Sequence, residues 1–149
     1  MSKTLIAYYS QSGSTKELVQ KLAQRTKSDV VEITVPADTF PSDMFETADV
    51  AKEQRKEKKF PPLTSKISDL KQYDTLIVAG PNWSAAVATP VISFLQKIQD
   101  FKGRVISLNT SVGQNDKQYN EDFRKQAKNL NVVATINNDG SKLDNYLGK

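Results

Sequence analysis

The chain has 149 residues, no cysteine, no histidine and a net charge of +4 from 21 Lys and Arg against 17 Asp and Glu. These totals exclude disulfides, thiolate zinc sites, cysteine-ligated iron–sulfur clusters, a Ser–His–Asp triad and a cysteine nucleophile. Any redox work must come from a bound cofactor, because the side chains offer no two-electron couple.

The length suits one domain spanning residues 1–149. In chain order, "TLIAYY" (residues 4–9) is the first short apolar run. Leu18, Val19, Leu22 and Ala23 then fall on one face of a helix over about residues 15–25. "DVVEITV" (29–35) alternates as an edge strand does. A helix over about 42–59 follows, stopped by "FPPL" (60–63). Its "KEQRKEKKF" run (52–60) mixes both signs and reads as a solvated helix face rather than a nucleic-acid patch. "DTLIVAG" (74–80) and "RVISLN" (104–109) are almost wholly apolar, as strands covered on both faces are. Between them Val91, Phe94, Leu95 and Ile98 repeat at helical spacing, with Thr89 as N-cap and Pro90 at the first helical position. Tyr119, Phe123 and Ala127 make a weaker stripe. "NVVATIN" (131–137) is the last strand, and a short helix is expected over 143–147.

This alternation of strands and helices predicts an α/β doubly wound sheet with right-handed crossovers. The N-terminus lacks a signal-peptide pattern and no window has the length of a membrane span. The expectation is therefore a soluble, cytoplasmic protein with neither a membrane nor a nucleic acid as partner.

Ligands of such sheets sit beyond the carboxyl ends of the strands. Three loops of small and polar residues belong to that edge. The first holds Ser10, Gln11, Ser12, Gly13, Ser14 and Thr15. It offers hydroxyls, an amide and successive N–H groups, a glycine for a tight turn, and the positive end of the helix that follows. That is a phosphate cradle without a cation. It is neither a Walker A nor a G-x-G-x-x-G sequence. The plainer reading is an ordinary strand–helix turn with a serine N-cap. The second loop runs over 81–89 and contains Trp83, and the third over 110–115.

The stretch "YYSQSGSTKE" (8–17) resembles the phosphate-binding loop of flavodoxins, T/S-x-T/S-G-x-T after the first strand, with Ser10, Ser12, Gly13 and Thr15 in matching places. "GPNWSAAVATPVISFL" (80–95) is similar to a second flavodoxin-like segment through Pro81, Trp83, Pro90, Val91, Phe94 and Leu95. "FKGRVISLNTSVG" (101–113) is similar to a third. The resemblance covers almost the whole chain. It implies a flavodoxin-like three-layer sandwich, a five-stranded parallel sheet in the order 2-1-3-4-5 with helices on both faces. It also implies FMN as cofactor, with its phosphate in the first loop. The flavin ring would lie between Pro81, Asn82, Trp83, Ser84 and Ala85 on one side and Thr110, Ser111, Val112 and Gly113 on the other. Trp83 would be the stacking aromatic; the plainer reading is a core tryptophan, an odd choice at a switch point flanked by Asn82 and Ser84.

The implied function is electron transfer between a reductase and a partner enzyme, by a monomer or weak dimer with no metal and no catalytic side chain of its own. An FMN-dependent NAD(P)H:quinone-type reductase uses the same cradle, and a non-catalytic flavin-binding or interaction module is the third reading. The chain departs from the family pattern at Ser84 and Ala85, which replace an aromatic and a glycine, at Ala88, which replaces a proline, and in its basic charge.

Overall fold

The structure is a computed structural model that describes residues 3–10, 14–36, 39–40, 44–65, 70–81, 86–109 and 116–137. Five strands, β1 (Thr4–Tyr8), β2 (Asp29–Glu32), β3 (Thr75–Gly80), β4 (Arg104–Asn109) and β5 (Asn131–Asn137), form one parallel sheet. Its order is β2-β1-β3-β4-β5, the order the resemblance implies. The helices are α1 (Ser14–Thr26), α2 (Met44–Glu57), α3 (Thr89–Lys97) and α4 (Asp116–Gln126). A single 3-10 turn over Leu70–Gln72 leads into β3.

The strands explain the sheet. β3 is buried along its whole length, as is β4 after Arg104, so their unbroken apolar character fits a sheet covered on both faces. β2 lies at an edge, where its alternating pattern leaves Val30 exposed. Regular pairing of β2 stops at Glu32, three residues earlier than the apolar pattern extends. Beyond it the Ile33 N–H still donates to Tyr8 O at 2.6 Å, and Thr34 turns to residues 64 and 65 instead. In β5 the register shifts beside Val105 and Ile106: Val132 and Ala134 face them, and Val133 is left over as a bulge.

Two apolar layers flank the sheet. Ile6, Tyr8, Ile77, Ala79, Ile106 and Leu108 meet Val19 and Leu22 of α1 on one face. Leu5, Ala7, Leu76, Val78 and Val105 meet α3 and α4 on the other. α3 is buried from Thr89 to Leu95, more completely than its four-residue stripe predicts. Phe60 and Leu63 pack into its layer, and the Ser93 hydroxyl donates to Pro61 O at 2.6 Å. The segment after α2 is thus laid over α3, and this accounts for the length of that connection.

Helix ends correct the sequence reading at one point. Ala88, not Thr89, is the N-cap of α3; its carbonyl accepts the N–H groups of Val91 and Ile92. Thr89 is already helical, and its hydroxyl donates to Gln54 Oε1 of α2 at 2.6 Å instead of capping. α1 and α2 each end on a lysine in the left-handed region, Lys27 (φ 55°) and Lys58 (φ 57°). The Ser28 and Lys59 N–H groups then reach back to Ala23 O and Gln54 O, closing each helix in the manner usually supplied by glycine. The helix expected over 143–147 lies outside the described residues.

Candidate functional site

Tyr8 of β1 pairs with Ala79 of β3, and Gly80 of β3 pairs with Asn109 of β4. Three strands therefore end side by side at the carboxyl edge of the sheet, and the three loops picked out from the sequence leave from that edge together. This is the crevice position that a doubly wound sheet offers to a ligand.

After β1, the Tyr9 N–H donates to Ala79 O at 3.0 Å, so the chain stays on the sheet for one residue more. Burial pushes the Tyr9 phenol up to about 12, which keeps it neutral. Ser10 is half-buried, and α1 begins at Ser14 with Thr15 buried in its first turn. The start of a 13-residue helix thus stands directly after the loop, with its free N–H groups at that end. Gln11, Ser12 and Gly13 lie outside the described residues. The loop over 10–15 has no lysine or arginine, so its donor set is neutral: hydroxyls, one amide and backbone N–H groups. That chemistry fits a single phosphate monoester and does not fit a magnesium-bound triphosphate.

After β3, Pro81 is half-buried and Asn82, Trp83, Ser84 and Ala85 lie outside the described residues. The chain is described again from Ala86, and Val87 and Ala88 are both buried. Val87 is held at both its backbone N–H and its C=O by side chains from helices α2 and α4. Its N–H donates to Asp122 Oδ2 of α4 at 2.9 Å, and its carbonyl accepts from an Arg55 Nη of α2 at 3.3 Å. Arg55 and Asp122 are themselves paired at 2.8 Å.

Sequence reasoning missed this group. Arg55 sits in the mixed-charge run that reads as a solvated face. That reading holds for Lys52, Glu53 and Lys56–Lys59, which are exposed, but Arg55 turns inward. Asp122 falls one residue before Phe123 of the apolar stripe on α4. The two partners are 67 residues apart, and no local pattern joins them.

The third loop leaves from Asn109, which is fully buried; Thr110, Ser111, Val112 and Gly113 lie outside the described residues. Beneath the ends of β3 and β4 lies Tyr119 of α4, wholly buried, with no partner for its hydroxyl among the described residues. Burial, and secondarily the Asp122 charge, raise its pKa, so the phenol is neutral. Gly80 makes room here: a β-carbon on it would lie 3.0 Å from a Val91 methyl and 3.9 Å from the Tyr119 oxygen.

Among the described residues no three acidic side chains stand close enough to hold a metal ion. No helix of the described residues is long and apolar enough to cross a membrane.

A family model described as Flavodoxin matches residues 3–147. The chain belongs to the flavodoxin family. Among solved structures, a flavoprotein from Lactobacillus acidophilus NCFM crystallised in complex with FMN is 35% identical, with a TM-score of 0.93 over 98% of this chain and 99% of that one. The apo form of the flavoprotein from the same organism, solved by NMR, is 36% identical, with a TM-score of 0.81 over 98% of this chain and 97% of that one. A 22% identical protein from Bacteroides eggerthii DSM 20697 shares the fold, with a TM-score of 0.83 over 99% of this chain and 96% of that one. No curated protein matches the sequence. This flavodoxin is thus similar along its whole length to a protein known with its flavin in place, and the edge formed by β1, β3 and β4 is the place in its own fold that corresponds to a ligand crevice.

Proposed function

We propose that this flavodoxin binds FMN at the carboxyl edge of its sheet and works as an electron carrier, taking electrons from a reductase and passing them to an acceptor protein. The observation that carries the reading is the whole-length likeness to the L. acidophilus flavoprotein–FMN complex. The neutral donor set ahead of α1 supports it. Ser10, Gln11, Ser12, Gly13, Ser14 and Thr15 hold the phosphate, with hydroxyls and N–H groups donating to its oxygens. Pro81, Asn82, Trp83, Ser84 and Ala85 line one side of the flavin ring, with Trp83 stacking on it. Thr110, Ser111, Val112 and Gly113 line the other.

Bound FMN supplies the electron store that the side chains lack. The chain's own residues bind it, orient it and limit its contact with water. The phenols of Tyr9 and Tyr119, both displaced upward, stay protonated at neutral pH and offer no base near this edge.

The test begins with the visible absorption spectrum of the purified protein, with and without added FMN. Flavin bands that stay with the protein support the reading; a protein that takes up no FMN overturns it. In a Ser12→Ala/Thr15→Ala variant, FMN affinity should fall by about tenfold or more, as expected for lost charge-assisted hydrogen bonds. Unchanged affinity would refute the cradle. Steady-state oxidation of NAD(P)H by the protein alone separates carrier from reductase: a carrier shows almost none.

A further inference from the structure

The Thr89 end of the second loop of this flavodoxin has a footing supplied by residues outside the loop. Between Gly80, the last residue of β3, and Thr89, the first of α3, the sequence reads "PNWSAAVA". The four residues before Thr89 are three alanines and a valine. They have no polar side chain with which to fix their backbone.

The fixing groups come from elsewhere. The Val87 N–H donates to Asp122 Oδ2 at 2.9 Å, one Arg55 Nη donates to Asp122 Oδ1 at 2.8 Å, and the other donates to Val87 O at 3.3 Å. The three bonds close a ring on the backbone N–H and C=O of one residue, and Gln126 Nε2 adds a fourth bond, to Asp122 Oδ1 at 3.3 Å. An exposed ion pair of this kind would contribute little. Here the pair is partly withdrawn from water, with Asp122 12% exposed, and its hydrogen bonds end on the backbone of a buried residue. Charge-assisted bonds to a buried peptide are among the stronger ones a protein makes.

We infer that Arg55 and Asp122 are positioning residues for the flavin ring. By fixing the Val87 backbone N–H and C=O they hold one end of the second loop, while Gly80, paired in the sheet, holds the other. This rests on the FMN reading above. Backbone that is fixed before FMN arrives does not have to be ordered by the binding step, so part of the ordering cost is met in advance. Breaking the ring returns that cost to the binding step.

The test uses the whole chain, stripped of flavin and titrated with FMN. Affinity is read by quenching of flavin fluorescence, and ring environment by visible-region circular dichroism of the bound flavin. Arg55→Met and Asp122→Ala should each weaken FMN binding by about tenfold and alter the dichroic band. The double variant should be no worse than Asp122→Ala alone, since either change opens the ring. Asp122→Asn, which keeps an acceptor for the Val87 N–H, should recover part of the loss.

Gln54→Ala is the control. It removes the bond to Thr89 from the same seam between α2 and α3 without touching Val87. It should lower the melting temperature and leave affinity and dichroism unchanged. If Asp122→Ala fails to fold, Arg55→Met and Asp122→Asn carry the comparison.

Folded ring variants with wild-type affinity and dichroism would overturn the inference and leave a structural strut. So would a Gln54→Ala variant that loses as much affinity as Arg55→Met. A wild-type protein that takes up no FMN overturns the function and this inference together, whereas unaffected ring variants of an FMN-binding protein overturn the inference alone.

Discussion

Replacing Tyr119 with phenylalanine should stabilise the protein. The ring is wholly buried between α4 and the sheet, and it fills that space equally well without its oxygen. The hydroxyl, however, has no hydrogen-bond partner among the described residues. An unsatisfied buried hydroxyl costs about 1–3 kcal/mol in lost hydration. Removing one oxygen forfeits only a few dispersion contacts, each about 0.1–0.2 kcal/mol. The balance is a gain of about 1 kcal/mol. For a domain of this size that corresponds to a rise of roughly 2–4 °C in Tm. The assay is urea unfolding of flavin-free wild type and Tyr119→Phe followed by far-UV circular dichroism, with the slope m unchanged and the midpoint higher. A loss of 1 kcal/mol or more would refute the reasoning, because it would mean that the hydroxyl makes a net favourable bond in the folded protein.

Two further outcomes follow from close contacts and from titration. A β-carbon on Gly103 would lie 2.5 Å from Asp74 O and 2.6 Å from Phe101 Cζ. Asp74 cannot withdraw, since its carbonyl accepts the Arg104 N–H and its own N–H donates to Lys3 O. Gly103→Ala should therefore cost about 3 kcal/mol, read as a fall of roughly 6–12 °C in Tm; a loss below about 1 kcal/mol would show that the contact relaxes. Tyr9, whose phenol is pushed up to about 12 by burial, favours the protonated form when folded, while the unfolded phenol ionises near its ordinary value of about 10. Its contribution is complete below pH 10 and is lost as pH rises toward 12. Thermal unfolding between pH 9 and 12 should fall less steeply for Tyr9→Phe than for wild type, and equal slopes would contradict the displacement.

The framework was legible because it is written locally. Unbroken apolar runs marked β3 and β4, alternation marked β2 as an edge, and i, i+3, i+4 spacing marked the buried faces of α1 and α3. What was lost lay between elements. Thr89 looks like an N-cap because its residue type suits one, yet its hydroxyl finds Gln54 across the α2–α3 seam, and Ala88 caps with its backbone alone. Arg55 looks like one more surface charge, and only the folded chain brings it to Asp122 of α4. The site followed the same division. Ser10, Thr15 and Pro81 fall at the edge where β1, β3 and β4 end together, as the strand order requires. The contacts assigned to Gln11–Gly13, Asn82–Ala85 and Thr110–Gly113 rest on the family likeness.

The two halves of the proposed site then solve different problems. A phosphate needs donors, and in the proposed site the loop after β1 would supply them from its own hydroxyls and from the start of α1. A flavin ring needs a surface of fixed shape, and the loop after β3 is poor in groups that could fix one. The second aromatic and the glycine of the family pattern are Ser84 and Ala85 here, and small side chains follow up to Thr89. Losing glycine narrows the backbone conformations open to the loop at that point, but it does not attach the loop to anything. Attachment falls to Arg55 and Asp122, on helices that reach this edge from either side of α3. On the proposed reading, the cofactor's tail would be held at the start of α1, while the setting of its ring would depend on the Arg55–Asp122 pair through the Val87 backbone.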